Sequence, residues 1–411
     1  MVTSADKSNI YLVGGAVRDR LLNKPIKDRD WVVVGSSPEE MTKAGFRPVG
    51  KDFPVFLHPK THEEYALART ERKTSRGYHG FAFSTSPGIT VEEDLRRRDF
   101  TINAMAESKN GELIDPYGGQ RDLQLGVIRH VSDAFAEDPV RILRAARFAA
   151  RFNFSIADET RTLMEEMVHN GEADALVAER VWQETELALG TASPQKFFSV
   201  LRECKALGVI FPEIDSLFGI PQNVKWHPEI DTGIHTLLVL EQAALLSERI
   251  DVRYAALTHD LGKALTAKRE WPSHKGHEQK GLALVEQLAD RLRLPKRLRK
   301  LSRVVCEYHL HTHRAMELKP TTVLELLEAC DAFRNPNEWQ GFLLACEADT
   351  RGRTGLEKKD YPNADFLNSL YKAAKSVDGG AIAKQLQNGE EIAEKIRVAR
   401  TSAIKEAQSE R

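Results

Sequence analysis

The strongest constraint on this chain is a change of rhythm near residue 138. Before it, apolar residues come in short β-branched runs, Ile10-Tyr11-Leu12-Val13 and Trp31-Val32-Val33-Val34. A helical stretch, Ala16 to Leu22, lies between them, and Glu64 to Arg69 is a further strand candidate. Runs that short suit strands. From Asp138 onward, Val140, Leu143, Ala146, Arg147 and Ala150 recur at helical spacing, and Leu163, Met167 and Leu176 continue it. A chain ordered in this way folds as an α/β head followed by an all-α remainder. Breaks near 137, 225 and 350, the last two at Pro- and Gly-rich stretches, give four segments: a head over 1–137, a helical neck over 138–225, a second helical domain over 226–350, and a charged helical tail over 351–411.

Composition limits the classes. With 411 residues, of which 41% are hydrophobic and 29% charged, there is material for several ordinary cores. No run approaches the roughly 18 to 20 apolar residues of a membrane span. The polar start Met1 to Asn9 lacks an export signal, so a cytoplasmic protein is expected. Cys204, Cys306, Cys330 and Cys346 are too scattered for a zinc knuckle or a disulfide framework, and read as reduced, mostly buried thiols. The net charge of -1 means that a nucleic-acid surface must come from local clustering, for which Arg291 to Arg303 is the candidate.

Two local patterns carry chemistry in the head. Leu12-Val13-Gly14-Gly15-Ala16-Val17-Arg18-Asp19 reads as strand, glycine turn and helix start, which aims backbone N–H groups at one pocket suited to a triphosphate. Arg18 adds a forked contact to phosphate oxygens. Next, Asp28-Arg29-Asp30 opens an apolar run, and residues two apart on a strand share a face. Two carboxylates so close repel each other unless a cation lies between them, and an all-oxygen set favours Mg²⁺. Glu64 is the nominee for a third carboxylate.

A Gly-Gly turn about a dozen residues before Asp-x-Asp resembles the first motif of the polymerase-β-like nucleotidyltransferases, in the version of class II tRNA nucleotidyltransferases and bacterial poly(A) polymerases. Four more motifs follow in that family's order: Arg97-Arg98-Asp99-Phe100-Thr101-Ile102-Asn103-Ala104; Asp115-Pro116-Tyr117-Gly118-Gly119 with Asp122-Leu123; Glu137-Asp138-Pro139-Val140-Arg141; and Glu179-Arg180. The resemblance implies that Arg98 and Asp99 read the sugar. Asp138 and Arg141, three apart, are expected on one helix face. There a carboxylate can accept from the exocyclic amine of cytosine or adenine while the guanidinium donates to the adjacent ring nitrogen, and uracil and guanine are mismatched at both points. Arg144 lies one turn on, and the family's ATP and CTP contacts suggest that it reaches base or phosphate. Arg147 and Arg151 extend the stripe, Arg151 as a solvated residue.

In the helical half, His259-Asp260-Leu261-Gly262-Lys263 resembles the signature of HD-domain phosphohydrolases. With His235 upstream and Asp331 downstream it makes a four-ligand set drawn from separate helices, for which Ni²⁺ or another transition metal is expected. His274, His277, His309, His311 and His313 read equally as ligands or as surface histidines.

The whole resembles class II CCA-adding enzymes in the bacterial version that carries an HD domain. What that implies is addition of CMP, CMP and AMP from CTP and ATP to the tRNA 3′ end, with Asp28 and Asp30 holding Mg²⁺, Gly15 and Arg18 the triphosphate, and Asp138, Arg141 and Arg144 the base. A metal-dependent phosphohydrolase activity from His259 and Asp260, of the phosphatase, 2′,3′-cyclic phosphodiesterase and 2′-nucleotidase type, is implied as well. The expected partners are tRNA, ATP and CTP, with no membrane, in a monomer or homodimer. The rivals are a poly(A) polymerase on the same scaffold and an HD phosphohydrolase whose N-terminal half senses nucleotides; a tRNA chaperone without chemistry would have no use for paired carboxylates.

Overall fold

The computed structural model describes residues 10–49, 55–73, 81–84 and 88–410; the polar start Met1 to Asn9 lies outside them. Its head is built on a mixed sheet. The strands are β1 (Ile10–Val13), β2 (Asp30–Val33), β3 (Arg47–Val49), β4 (Val55–Leu57) and β5 (Glu64–Leu67), then β6 (Thr70–Lys73) and β7 (Phe81–Ser84), which form a separate hairpin, and β8 (Ala106–Ser108) and β9 (Leu113–Ile114). The sheet order is β3-β4-β5-β2-β1-β8-β9. The β-branched runs seen in the sequence become its two central strands because they bury side chains on the sheet: Val13, Val32 and Val33 are all at most 3% exposed.

Register then does the positioning. Val13 pairs with Asp30 across the antiparallel β1–β2 ladder, and Asp30 pairs with Glu64 across the parallel β2–β5 ladder. The Asp-x-Asp segment is thereby brought level with the end of β1, where the chain turns through Gly14 into helix Gly15–Leu21. Gly14 adopts φ 68° and ψ -125°, and a Cβ there would fall 2.8 Å from Arg98 Nη1, so only glycine fits the turn.

By internal contacts the chain divides into two units, residues 1–180 with 203–209, and residues 181–202 with 210–411. In the second, helix Ile250–Thr258 packs on helices Thr232–Leu246, Lys296–His313 and Pro336–Arg351. Trp339, Phe342 and Leu327 are fully buried in the core below. The segment expected as a separate charged tail packs into this unit. Helix Gly389–Ser409 lies on helices Pro362–Lys375 and Pro320–Ala329, Ile404 is fully buried, and Gln408 Nε2 donates to the Leu318 carbonyl at 2.9 Å. Ile392, Ile396, Ala399 and Ala403 continue the stripe that Ile404 buries, which periodicity reads as a helix face without saying what that face meets. All four cysteines are buried and none is in a disulfide.

Candidate functional sites

In the head, a continuous polar chain connects the glycine turn to the later motifs. Arg18, only 3% exposed, bonds Asp19 through Nε (2.8 Å) and Asn103 Oδ1 through Nη1 (2.5 Å), and its guanidinium packs between the Phe148 and Phe152 rings. Asn103 Nδ2 donates to Asp99 Oδ1 at 3.0 Å, and Asp99 Oδ2 takes Arg144 Nε at 2.7 Å. Arg151 stays exposed, and its Nη2 reaches Asp19 Oδ2 at 3.0 Å, closing the chain at the other end. Burial works to raise the Asp99 carboxyl, but Arg144 and Asn103 outweigh it and hold Asp99 below its usual value.

Asp28 and Asp30 are both exposed. Although Asp30 keeps an open side, partial withdrawal from water raises its carboxyl; Arg98 opposes the rise and Asp28 adds to it. Arg98 thus borders both the Gly14 turn and Asp30, held by Asp94 Oδ2 at 3.3 Å while its buried Nε makes no hydrogen bond. Glu64 shares a sheet face with Asp30. Asp30 and Glu64 are register partners across the β2–β5 ladder.

The expectation that Asp138 and Arg141 share a helix face needs correction. The helix starts at Val140; Asp138 has φ -124° and ψ 107°, outside it, because Pro139 disfavours a helical residue before it. Asp138 Oδ1 instead accepts from the Val140 N–H at 2.9 Å. Arg141 is anchored by donating to the carbonyls of Ala134 (2.8 Å) and Arg97 (2.9 Å). The two residues remain neighbours through the turn.

The histidines of the second unit converge more closely than their spacing suggested. His235 stands in the first turn of helix Thr232–Leu246, which Asp231 caps by accepting from the Ile234 N–H. His259 and Asp260 follow the end of helix Ile250–Thr258, and His277 opens helix His277–Arg291. Gly262 is what lets that last helix come close, since a Cβ there would lie 1.8 Å from the His277 carbonyl oxygen. Three groups have ligand atoms within 4.8 Å of one another: His235, His259 and Asp349; Asp260, His277 and His309; and His227, Glu229 and His235. The first two are joined by the 3.1 Å contact between His259 Nε2 and Asp260 Oδ2.

The imidazoles are oriented by their outer nitrogens. Nδ1 of His259 donates to the Ala256 carbonyl (2.7 Å), Nδ1 of His277 to that of His274 (2.9 Å), and Nδ1 of His309 to that of Val305 (3.1 Å). His235 Nδ1 lies 2.9 Å from Glu229 Oε1. Each ring so held presents Nε2 inward as a lone pair, the arrangement found around metal-bound histidines. His277 Nε2 and His309 Nε2 are 3.4 Å apart, and the buried His259 Nε2 and Asp260 Oδ1 make no hydrogen bond. Acceptors facing acceptors in a dry site are costly without a cation among them, so this donor set fits a divalent metal. Charge is arranged to match. Burial drives His309 well below its usual value and keeps it neutral.

Asp331 is not in this cluster. It ends helix Pro320–Ala329 in a left-handed conformation, and its carboxylate is taken by Lys300 Nζ (3.0 Å) and Asn335 Nδ2 (2.5 Å). The carboxylate that closes the set is Asp349, whose Oδ1 meets His235 and whose Oδ2 meets His313 Nε2 at 2.7 Å. Its signal in the sequence was a lone aspartate on the apolar face of a helix that also buries Trp339, Phe342 and Cys346. His274 is buried elsewhere, bonding Thr266 and the Pro221 carbonyl. The basic run expected to meet nucleic acid is largely matched by acids: Arg291 pairs with Glu213, Arg297 with Asp251, Arg299 with Asp290 and Glu286, and Lys300 with Asp331.

Comparison with known proteins assigns the family. Residues 10–129 match the Poly A polymerase head domain, 153–218 the probable RNA and SrmB-binding site of polymerase A, and 232–335 the HD domain. The chain is 60% identical over 398 residues to the multifunctional CCA protein of Nitrosococcus oceani, covering 97% of this chain and 98% of that one. It belongs to the multifunctional CCA protein family. The family protein of Chromobacterium violaceum is 58% identical over 401 residues, covering 98% of each chain. The fold is shared with a CCA-adding enzyme solved in an apo form, at a TM-score of 0.65 and 24% identity over 97% of this chain and 88% of that one. Membership carries a dependence on divalent metal. It also accounts for finding a nucleotidyltransferase head and an HD domain in one chain. Asp349 lies beyond the matched HD span, so the multifunctional CCA family's HD match alone would not point to it.

Proposed function

We propose that this chain adds the terminal CMP, CMP and AMP of tRNA from CTP and ATP, in the cytoplasm, and that its HD domain hydrolyses phosphate esters at a separate metal site. The observation that carries the first part is the polar chain Arg144–Asp99–Asn103–Arg18, which ties the base-reading segment to the glycine turn beside Asp28 and Asp30. Asp28 and Asp30 hold Mg²⁺, an ion that would supply charge neutralisation on the transferring phosphoryl group. Gly15 offers its turn to the triphosphate, with Arg18 Nη2 3.5 Å from where a Gly15 Cβ would stand. Arg98, beside both Gly14 and Asp30, reads the sugar. Asp138 and Arg141 are held by backbone groups in fixed positions, and their remaining acceptor and donor groups read the base edge together with Arg144. Fixed side chains serve as a template because a mismatched base leaves buried groups unpaired.

The second activity is supported by the inward lone pairs of His235, His259, His277 and His309 around Asp260 and Asp349. Imidazole with two carboxylates favours Ni²⁺, Mn²⁺ or Co²⁺. Incubating the protein with tRNA lacking its end, Mg²⁺ and each nucleotide singly and in pairs, then sequencing the product, tests the first activity. Products other than CCA, or none, would sink it. Hydrolysis of phosphomonoesters or 2′,3′-cyclic phosphates with Ni²⁺, unaffected when Asp28 is replaced, tests the second.

A further inference from the structure

Helix Val91–Arg96 ends just before Arg97 and Arg98, and its start is fixed by a reciprocal cap: the Thr90 side chain accepts from the Glu93 N–H while the Glu93 carboxylate accepts from the Thr90 N–H. Val91 and Leu95 pack into the core of the head with Val13, Val32 and Ala104. Asp94 lies beside Leu95 and is fully buried. A carboxylate is costly in such a place unless protein donors replace its water.

Those donors come from two arginines and one backbone amide. Oδ1 of Asp94 accepts from Arg97 Nε (3.1 Å), Arg97 Nη2 (2.9 Å) and the Arg69 N–H (3.3 Å), and Oδ2 accepts from Arg98 Nη2 (3.3 Å). Burial works to raise the carboxyl, but Arg97 and Arg98 outweigh it and hold Asp94 below its usual value, so it meets both guanidinium groups as an anion.

Each arginine leads to a different part of the nucleotide site. Arg98 reaches the glycine turn, with Nη1 2.8 Å from where a Gly14 Cβ would stand. Arg97 leads to the base-reading segment, because its carbonyl accepts from Arg141 Nη2 at 2.9 Å. The Arg69 N–H adds the chain just past β5, the strand whose Glu64 pairs with Asp30. An arginine side chain is long and rotatable, so it discriminates between ligands only when something fixes it in advance.

From this juxtaposition we infer that Asp94 is the positioning residue of nucleotide selection, holding Arg98 against the sugar and, through Arg97, Arg141 against the base. The inference rests on the readings of Arg98 and Arg141 in nucleotide transfer and adds the one group that sets both in a common frame. Being fully buried, Asp94 acts only through its arginines.

The test uses the full chain with tRNA lacking its end, and kcat/KM is measured for CTP, dCTP and UTP. Asp94→Asn keeps the size of the side chain and removes its charge; it should lower both the CTP/dCTP and the CTP/UTP preference about tenfold. Arg98→Ala should lower the first preference alone, and Arg97→Ala the second alone. In the double variant of Asp94→Asn with Arg98→Ala, the CTP/dCTP preference should be no lower than in Arg98→Ala, since residues acting through one contact are not additive. Thermal melting and tRNA binding check the fold. An equal loss with all three nucleotides in Asp94→Asn, or a loss of one preference only, overturns the inference. An unchanged CTP/dCTP preference in Arg98→Ala removes Arg98 from the sugar; the CTP/UTP preference in Asp94→Asn then decides, a loss supporting Asp94 as the support of the base reader and no loss overturning it. If Asp94→Asn does not fold, Arg97→Ala carries the test, and a retained CTP/UTP preference in that variant overturns the inference.

Discussion

Asp349 Oδ1 lies 3.0 Å from His235 Nε2, across 114 residues of sequence, and that contact brings Asp349, where Asp331 was expected, into the histidine cluster. Asp349→Ala should abolish metal-dependent hydrolysis and weaken metal binding measured by calorimetry. Outer partners of metal ligands already cost about 10- to 100-fold in affinity when lost, so a ligand should cost at least as much. Asp331→Ala should leave both nearly unchanged. The reverse pattern would return the role to Asp331.

Asp28→Ala and Asp30→Ala should abolish nucleotide addition without disturbing the fold or tRNA binding, because both carboxylates are exposed and support no packing. Residual addition within about tenfold of the parent, a loss of only ~1.4 kcal/mol in the barrier, would remove them from the metal site.

Asp138 combines two tasks that a substitution can separate. Asp138→Ala should relax selection against UTP and GTP more than it slows CTP incorporation, and loss of its bond to the Val140 N–H should lower stability by about 0.5–2 kcal/mol. An equal rate loss with all four nucleotides, accompanied by the stability loss, would leave only the capping task.

Acid should loosen the head through Asp99. Its folded pKa is depressed from 3.8, so its contribution to stability is complete above that value and is lost as pH falls through the lower folded value. Melting followed from pH 6 down to pH 2 should show a shallower acid decline for Asp99→Asn, with a lower stability at neutral pH because Arg144 is left without its carboxylate. A parallel decline in both proteins would show that other groups control acid unfolding.

Replacing Arg297, Arg299 and Lys300 with Gln should leave the salt dependence of tRNA affinity unchanged, since these cations are matched by Asp251, Glu286, Asp290 and Asp331. A flatter dependence, measured by filter binding over a salt series, would mean that these pairs open to meet phosphate.

What could be read in advance and what could not divides by distance along the chain. The glycine turn, the Asp-x-Asp step and the His259-Asp260 pair are local, so a strand period of two and a single tight turn are enough to orient them. The α/β head and helical remainder follow from periodicity for the same reason. Asp138 departs from this only by one proline, whose ring excludes its predecessor from the helix. The choice of Asp349 over Asp331 and the inclusion of His277 and His309 required helices distant in sequence to pack at a particular separation, and the pairing of Asp99 with Arg144 required a bend to meet a helix 45 residues on. Gly262, by admitting the His277 backbone, and the buried face holding Asp349 set that separation. Dense interhelical packing determines which of several similar aspartates and histidines lose water and meet, and no spacing within one helix encodes it.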